Sequence, residues 1–253
     1  MRILISNDDG IEAEGLEALV KCLSSHHEVI VSAPFRQQSG MSHALTVGAE
    51  MELIRGKRLM DTYGIEAWAV DGTPTDAVKL YLEALADVMP DVVLSGINHG
   101  ANLATDILYS GTVGAAMEGY LHDISSFAVS ADIDSTLSYT QMASLFCEYL
   151  ETVMENRKEP IFYNVNFPRE LVGNRPLFVM GRQGKRDYKN AFCRTKREDD
   201  GIFYIVRGEI FDTDKSEPTD IYAVEHGMIA VTPLMTDMTD YLRMEQRLHE
   251  DNS

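Results

Sequence analysis

Apolar runs alternate along the chain with segments whose apolar residues recur at helical spacing. The runs lie at residues 2–6, 29–33, 91–94, 127–130 and 161–166. Runs of this kind are typical of strands buried on both faces of a parallel sheet. Between the first two runs, Leu16, Leu19, Val20 and Leu23 recur at helical spacing. This β-α-β order predicts a right-handed parallel crossover, and therefore an α/β fold with a mainly parallel sheet.

Local signals predict the peripheral strands and one helix start. Residues 44–54 and 64–70 alternate in polarity and predict peripheral, antiparallel strands. Asp71-Gly72-Thr73-Pro74-Thr75-Asp76 combines capping residues, an early proline and acids, which together mark the beginning of a helix. We therefore expect a helix directly after the strand at 64–70.

The C-terminal third has a different character. Residues 182–217 are charged and contain short β-like runs, which predict a hairpin arm. A short helix at 219–225, a strand at 227–232 and a helix at 237–249 follow. We expect a single domain over residues 1–253, with a core of about 1–180, an arm of about 182–217 and a C-terminal strand and helix within 218–253.

Two adjacent carboxylates follow the first predicted strand. Neighbouring residues inside a strand point to opposite faces, but Gly10 lets the chain leave the strand, so Asp8 and Asp9 can face one site. Two like charges held together need a counter-charge, which a hard divalent cation supplies. Mg²⁺ or Mn²⁺ suits such an oxygen-rich site. The alternative is an acidic cluster that caps the following helix.

Two neutral oxygen donors lie beyond other predicted strands. Ser39 stands in the polar loop at 35–43, where Gly40 allows close backbone approach. Asn98 follows the strand at 91–94, and its amide can bind a cation through oxygen or a phosphate through nitrogen. Parallel strands present their carboxyl ends at one edge, so we expect these residues near Asp8. The alternatives are a turn-forming serine and an Asx turn.

Residues 95–119 form the segment best suited to phosphate. The segment follows an apolar run, is rich in small and polar residues, and reaches a helix start at Ser110-Gly111-Thr112. The first turn of a helix offers free N–H groups and a positive dipole end. Neither a P-loop Gly-Lys-Ser/Thr nor a dinucleotide GxGxxG after the first strand is present. The alternative is a simple N-cap, and both roles can coexist.

The amino-acid composition limits the classes of partner that the protein can bind. The 253 residues carry 22 Lys+Arg against 40 Asp+Glu, a net charge of −18, which disfavours duplex nucleic acid and anionic membranes but not a small anionic ligand beside a metal. The three cysteines are scattered and form no CxxC, which indicates reduced thiols. No secretory signal or run of ~20 apolar residues is present, so we expect a soluble cytoplasmic protein.

Taken together, these motifs resemble the SurE family, the survival-protein nucleotidases of bacteria, archaea and plants. The resemblance covers nearly the whole chain and rests on segments in the family's order: ILISNDDGIEAEGLEAL, VSAPFRQQSGMSHALT, DGTPTDAVKL, PDVVLSGINHGANLATDILYSGTVGAAMEG and TDIYAVEHGMIAVTPL. Several long motifs in the right order are far more specific than any one of them.

The resemblance implies a Rossmann-like three-layer fold with a C-terminal hairpin arm and helix, one divalent metal ion per subunit, and hydrolysis of nucleoside monophosphates. By position, the family's metal ligands fall on Asp8, Asp9, Ser39 and Asn98. Its phosphate-binding surface falls near Gly40, Asn98, Ser110, Gly111 and Thr112. The family typically forms dimers or tetramers by exchanging C-terminal elements, here the arm and the last helix. Specificity for 5′- or 3′-nucleotides, and activity on polyphosphate, stay open.

These residues suggest a metal-dependent phosphomonoesterase in which Asp8 and Asp9 are the catalytic carboxylates that anchor the cation while water attacks in line. Direct attack by an aspartate through a phospho-aspartate stays open, although the pattern Asp-x-Asp-x-Thr is missing. A non-enzymatic nucleotide sensor would need only the anion site. The presence of both aspartates beside Ser39 and the Asn98 loop favours the enzyme.

One residue departs from the family's loop pattern, Asn-x-Gly-x-Asn-x-Gly-x-Asp. Ala104 stands where the second glycine is expected. A left-handed alanine costs roughly 1 kcal/mol or more. We therefore predict that Ala104 has a negative φ, or that the loop is slightly shifted.

Overall fold

The central element is a sheet whose strands meet in the order β3-β4-β2-β1-β5-β6-β7-β13-β8. The computed structural model describes residues 1–173, 176–195 and 201–251. The sheet consists of β1 (Arg2–Ser6), β2 (Glu28–Pro34), β3 (Leu53–Arg55), β4 (Glu66–Val70), β5 (Val92–His99), β6 (Ser125–Ala131), β7 (Phe162–Phe167), β8 (Phe178–Met180) and β13 (Ile229–Pro233). Neighbouring strands are parallel except in the pairs β3–β4 and β7–β13.

Helices cover both faces of this sheet. They are α1 (Glu14–Leu23), α2 (Lys57–Tyr63), α3 (Pro74–Leu80), α4 (Gly111–Leu121), α5 (Tyr139–Asn156), α6 (Asp220–Glu225) and α7 (Tyr241–Asp251). Successive β1 residues show the two layers: Ile3 and Ile5 pack with α1 and α5, whereas Leu4 packs with α3 and α4. The predicted three-layer α/β fold with a mainly parallel sheet is confirmed.

The predicted helix start at residues 71–76 is also confirmed. Thr73 is the N-cap of α3, and its hydroxyl accepts a hydrogen bond from the backbone N–H of Asp76. The Asp76 carboxylate in turn accepts a hydrogen bond from the backbone N–H of Thr73, which completes a capping box. Pro74 occupies the first turn, where its missing N–H costs nothing.

Three details differ from the sequence prediction. The alternating segment at 44–54 is mostly irregular, and only its end belongs to β3. Helix α2 was not predicted. Strand β5 continues beyond Leu94 to His99, so the loop expected from Ser95 begins later. For β5, tertiary pairing overrides the local pattern, since its small and polar residues pair with β6.

The predicted hairpin arm is confirmed as two antiparallel pairs. Strands β9 (Lys185–Lys189) and β12 (Glu209–Asp214) pair near the core, and β10 (Phe192–Thr195) pairs with β11 (Phe203–Val206) farther out. The last strand, β13, lies inside the main sheet between β7 and β8. The division of the chain into core, arm and C-terminal segment stays a prediction.

Candidate active site

The candidate site lies at the carboxyl edge of the sheet, where β1, β2 and β5 end. Asn7 shapes the first turn: its side chain donates to the Gly10 carbonyl at 3.0 Å and accepts from the Gly10 N–H at 3.1 Å. Gly10 adopts a φ of 99°, a conformation that favours glycine. This turn carries Asp8 and Asp9 out of the strand, as the sequence predicted. The role of Asn7 was not predicted.

Asp8 is a buried carboxylate, only 5% exposed. Its Oδ1 accepts a hydrogen bond of 2.5 Å from the Thr112 hydroxyl. Burial raises the pKa of Asp8 to about 6; the Thr112 hydrogen bond opposes that rise, and the neighbouring Asp9 charge adds to it. Ionising Asp8 in this buried position costs free energy, and a cation bound to the carboxylate would offset that cost.

Asp9 is held in place through both carboxylate oxygens. The Gln37 side-chain amide donates to Oδ1 at 3.1 Å, and the backbone N–H of His99 donates to Oδ2 at 3.1 Å. Gln37 belongs to the loop after β2 and His99 ends β5, so Asp9 connects all three strand ends. Gln37 and His99 were not among the predicted site residues, although both lie within the motif segments, because the sequence does not show that the Gln37 side chain and the His99 backbone meet Asp9.

The predicted neutral donors meet Asp8 in one cleft of about 230 Å³. Asn98 donates its side-chain N–H to the Gly100 carbonyl at 2.8 Å, which leaves its amide oxygen to face a ligand. The cleft is lined by Asp8, Gln37, Ser39, Gly40, Asn98, His99, Ala101, Asn102, Asp106, Tyr109 and Ser110. Asp9 does not line it, although both of its hydrogen-bond donors do.

The start of α4 faces Asp8. Ser110 is the N-cap, and its hydroxyl accepts the Val113 N–H at 3.1 Å, so the predicted cap exists. The hydroxyl and backbone N–H of Thr112 both point to the Asp8 carboxylate. Of the predicted phosphate contacts, Gly40, Asn98 and Ser110 line the cleft. Thr112 is already bound to Asp8, and Gly111 is buried beside it.

These donors fit a hard divalent cation. Two carboxylates, an amide oxygen and a hydroxyl provide oxygen ligands only, which Mg²⁺ and Mn²⁺ prefer. Within the described part of the chain, no lysine or arginine lines the cleft to neutralise Asp8. Asp8, Asp9, Ser39 and Asn98 are therefore the residues that could hold the ion. The opposite wall of the cleft is formed by the loop that follows β5.

Asn102 supports that wall through a buried polar network that the sequence did not reveal. Its backbone N–H donates to Asn166 Oδ1 at 2.8 Å, and its side chain donates to the Ser130 hydroxyl at 2.8 Å. Its carbonyl accepts hydrogen bonds from Asn164 and Asn166. Because these partners lie on β6 and β7, the sheet itself fixes the loop that follows β5.

The prediction for Ala104 was wrong. Ala104 is fully buried and has a φ of 52°, in the left-handed region. Its N–H donates to Asp220 Oδ2 at 2.7 Å, and its carbonyl accepts from the Gln183 side chain at 2.8 Å. Hydrogen bonds on both sides of the residue, together with burial, offset the cost of the left-handed conformation. Both partners lie far along the chain, so no local pattern indicates them.

The base of the arm contacts the same loop. Arg186 of β9 binds Asp212 at 2.7 Å and Asp106 at 3.2 Å, and all three side chains are largely buried. The Tyr188 hydroxyl donates to Asp106 at 2.8 Å. Despite burial, the two carboxylates raise the pKa of Arg186 above its ordinary value, so its charge is retained. Asp106 lines the cleft, and the arm therefore helps to position the cleft wall.

A second group of candidate metal ligands lies elsewhere. Glu83, Glu118 and His122 offer ligand atoms close together, between the end of α3 and α4. Lys79 already binds Glu83 at 2.5 Å and Glu118 at 3.0 Å. A lysine ammonium thus already supplies the counter-charge that a cation would bring there, which makes the edge of the sheet the better metal site.

Sequence and structure comparisons give one consistent result. Residues 3–190 match the family described as Survival protein SurE. The 5′-nucleotidase SurE of Pelotomaculum thermopropionicum is 40% identical over 252 residues, covering 97% of this chain and 93% of the relative. The 5′-nucleotidase SurE of Heliobacterium modesticaldum is 39% identical, covering 97% of this chain and 90% of the relative.

A solved structure shares both sequence and fold with this chain. The crystal structure of the SurE protein from Aquifex aeolicus is 35% identical and superposes with a TM-score of 0.81. The match covers 99% of this chain and 100% of that protein. The likeness therefore extends over the arm and the C-terminal segment as well as the sheet.

Proposed function

The chain belongs to the SurE survival-protein family, and from this membership and the geometry of the cleft we propose that it is a metal-dependent 5′-nucleotidase. It would hydrolyse nucleoside monophosphates to nucleoside and phosphate. The observation that carries the proposal is the buried Asp8 carboxylate, which shares a cleft with neutral oxygen donors and a helix N-terminus. Relatives of similar length bear the name 5′-nucleotidase SurE.

Asp8, Asp9, Ser39 and Asn98 would hold one divalent ion, with Mg²⁺ or Mn²⁺ as our proposal for its identity. Such an ion supplies Lewis-acid stabilisation of charge on the transferred phosphoryl group. Thr112 holds Asp8 through Oδ1, so Oδ2 would be the oxygen that binds the cation. Gln37 and the His99 N–H fix the orientation of Asp9. These three contacts preorganise the carboxylates before substrate binds.

The phosphate would lie against Gly40, Asn98 and Ser110, beside the first turn of α4. Backbone N–H groups at a helix start favour an anion, and a buried environment strengthens that attraction. Both oxygens of Asp9 already accept a hydrogen bond, and Asp8 has Oδ1 bound to Thr112 and would use Oδ2 for the cation. Neither aspartate therefore has an oxygen left free to attack. We therefore favour attack by water over a phospho-aspartate. Failure to trap a phosphoenzyme would agree with this choice, and isolation of one would overturn it.

The test is phosphate release from AMP by metal-stripped protein, with Mg²⁺ or Mn²⁺ added back. We expect activity only with metal, and a loss of at least about 100-fold in Asp9→Asn. A panel of 5′-nucleotides, 3′-nucleotides and short polyphosphate then defines specificity. Folded, metal-loaded protein that releases no phosphate from any monophosphate would contradict the proposal and favour a nucleotide sensor.

The assembly is a further part of the proposal. Exposed apolar side chains cover the outer arm and α7, including Phe192, Tyr204 and Val206 on the arm and Leu242 on the helix. A patch of this kind marks an interaction surface. We propose a homodimer or homotetramer formed through these two elements. Sedimentation should show a multimer for the wild type and a smaller species for Val206→Glu or Leu242→Glu. A wild-type monomer would overturn the proposed assembly.

The cytoplasmic location of the protein stays a prediction.

A further inference from the structure

The Ser39 loop, residues 35–43, is fastened at its end by contacts that have no part in the chemistry. Ser39 and Gly40 are both exposed, so burial of these residues does not hold the loop over the cleft. The neighbouring Ser42 donates its backbone N–H to the Tyr109 carbonyl at 3.0 Å and its hydroxyl to the Leu108 carbonyl at 2.7 Å. Ser42 thereby connects the loop to the segment that precedes α4.

The loop also lies directly on α4. A Cβ atom at Gly114 would lie 2.2 Å from the Ser42 carbonyl oxygen, so only glycine permits this approach. Ser42 itself has a φ of 54°, a strained conformation for a residue other than glycine. A strained residue pressed against a helix needs further contacts to keep it there.

His43, the residue after Ser42, provides such a contact to α4. Its Nε2 lies 2.8 Å from Glu118 Oε2, and the Glu118 side chain is only 3% exposed. The other Glu118 oxygen accepts from Lys79 of α3 at 3.0 Å, and the ring of His122, the residue directly after α4, lies 3.7 Å from that oxygen. Burial alone would raise the pKa of Glu118, but the His43 and Lys79 contacts outweigh it and lower the pKa, so the carboxylate stays ionised.

We propose that His43 and Glu118 are positioning residues that hold the Ser39 loop over the start of α4 and so preform the metal site. A buried charge bound on two sides gives a stiff connection. The proposal rests on the proposed function, since it assigns these residues a role toward the same cation. Neither side chain touches the cleft, and both act through Ser39.

The test is Mn²⁺ binding to metal-free protein, measured by electron paramagnetic resonance, beside AMP hydrolysis at varied Mn²⁺. Contacts that orient metal ligands are typically worth 10- to 100-fold in metal affinity. We expect His43→Ala to weaken Mn²⁺ binding at least about tenfold, with activity largely recovered at saturating Mn²⁺. His43→Gln keeps an N–H donor that can reach Glu118 and should bind Mn²⁺ more tightly than His43→Ala.

Glu83→Gln is the matched control. Glu83 belongs to the same charge cluster through Lys79 and His122, but among the described residues it forms no hydrogen bond with His43 or the Ser39 loop. Mn²⁺ affinity should therefore stay unchanged. Circular dichroism of the metal-free variants checks folding. If His43→Ala does not fold, His43→Asn takes its place, because its side chain is polar but shorter than that of His43→Gln and should lose the Glu118 contact.

Two results would overturn the inference. One is Mn²⁺ binding by folded His43→Ala, or by His43→Asn in its place, as tight as that of the wild type. The other is an equal loss in Glu83→Gln, which would indicate a general effect of the charge cluster. A wild-type protein that neither binds Mn²⁺ nor hydrolyses AMP would instead contradict the proposed function, so the two failures are distinguishable.

Discussion

At the scale of single residues, function and stability compete at Asp8. Folding buries this carboxylate beside Asp9, and its pKa rises from 3.8 to about 6. A change of this size disfavours the ionised form by about 3 kcal/mol. A residue retained at such a cost is typical of a site that binds a charged ligand, because the ligand offsets the cost only in the loaded protein.

Asp8→Asn should stabilise the metal-free protein at neutral pH while removing its activity. The folded-state pKa of Asp8 lies above the unfolded value, so its contribution to stability is present below about pH 4 and is lost as pH rises through about 6. Asparagine has no such titration and can still accept the Thr112 hydrogen bond. Urea unfolding in the presence of a chelator should give a free energy of unfolding that is higher for Asp8→Asn than for the wild type by up to about 3 kcal/mol near pH 7. This difference should shrink toward zero as the pH falls to about 4. Parallel pH profiles for the two proteins would contradict this.

Substitutions at Ala104 should separate backbone conformation from packing. Ala104→Gly removes the strain of a left-handed alanine, which is worth roughly 1 kcal/mol, but it also removes a buried methyl group, whose burial is worth a similar amount. The free energy of unfolding should therefore change by less than about 1 kcal/mol. Ala104→Val places a branched side chain in the same buried, left-handed position and should cost more than about 2 kcal/mol. Urea midpoints measure both. A valine variant as stable as the wild type would mean that the loop has room to move.

At the scale of elements, the sequence predicts what is local. Apolar runs locate the strands, and the capping box locates α3, because both signals lie within a few residues. The order of the strands then brings Asp8, Ser39 and Asn98 to one edge of the sheet. What the sequence does not reveal is the support for the cleft wall, since Gln183, Arg186 and Asp220 meet residues 104–106 only through the tertiary fold.

The arm base should therefore matter for stability. Arg186→Ala leaves Asp106 and Asp212 as largely buried carboxylates without their cation, and we expect a loss of roughly 3 kcal/mol or more. Arg182→Ala is the control, because its ion pair with Asp214 is more exposed to solvent and should leave the urea midpoint nearly unchanged. Equal midpoints for the two variants would show that the arm base does not support the cleft wall energetically.

At the scale of the whole molecule, charge is the dominant property. The chain carries a net charge of −18, and its proposed substrate is an anion. Long-range repulsion slows the approach of an anion, and the metal reverses the field only within the cleft. Within the described residues, no helix is both long and apolar enough to cross a lipid bilayer.

Salt should accordingly raise the catalytic efficiency. With metal kept saturating, kcat/KM for AMP should increase on the order of twofold between about 20 mM and about 200 mM KCl, because ions screen the repulsion. The value of kcat at saturating AMP should change little, since bound substrate no longer has to approach the protein. A kcat/KM that falls with salt would indicate a locally positive approach path.

The insertion of β13 between β7 and β8 also bears on synthesis. A chain leaves the ribosome from its N-terminus, so β7, β8 and the whole arm emerge before the strand that joins β7 to β8. Until residues 229–233 arrive, β7 presents an unpaired edge to other nascent chains. The sheet is completed only near the end of translation, and a product terminated before β13 would carry the whole arm but keep that edge open to aggregation.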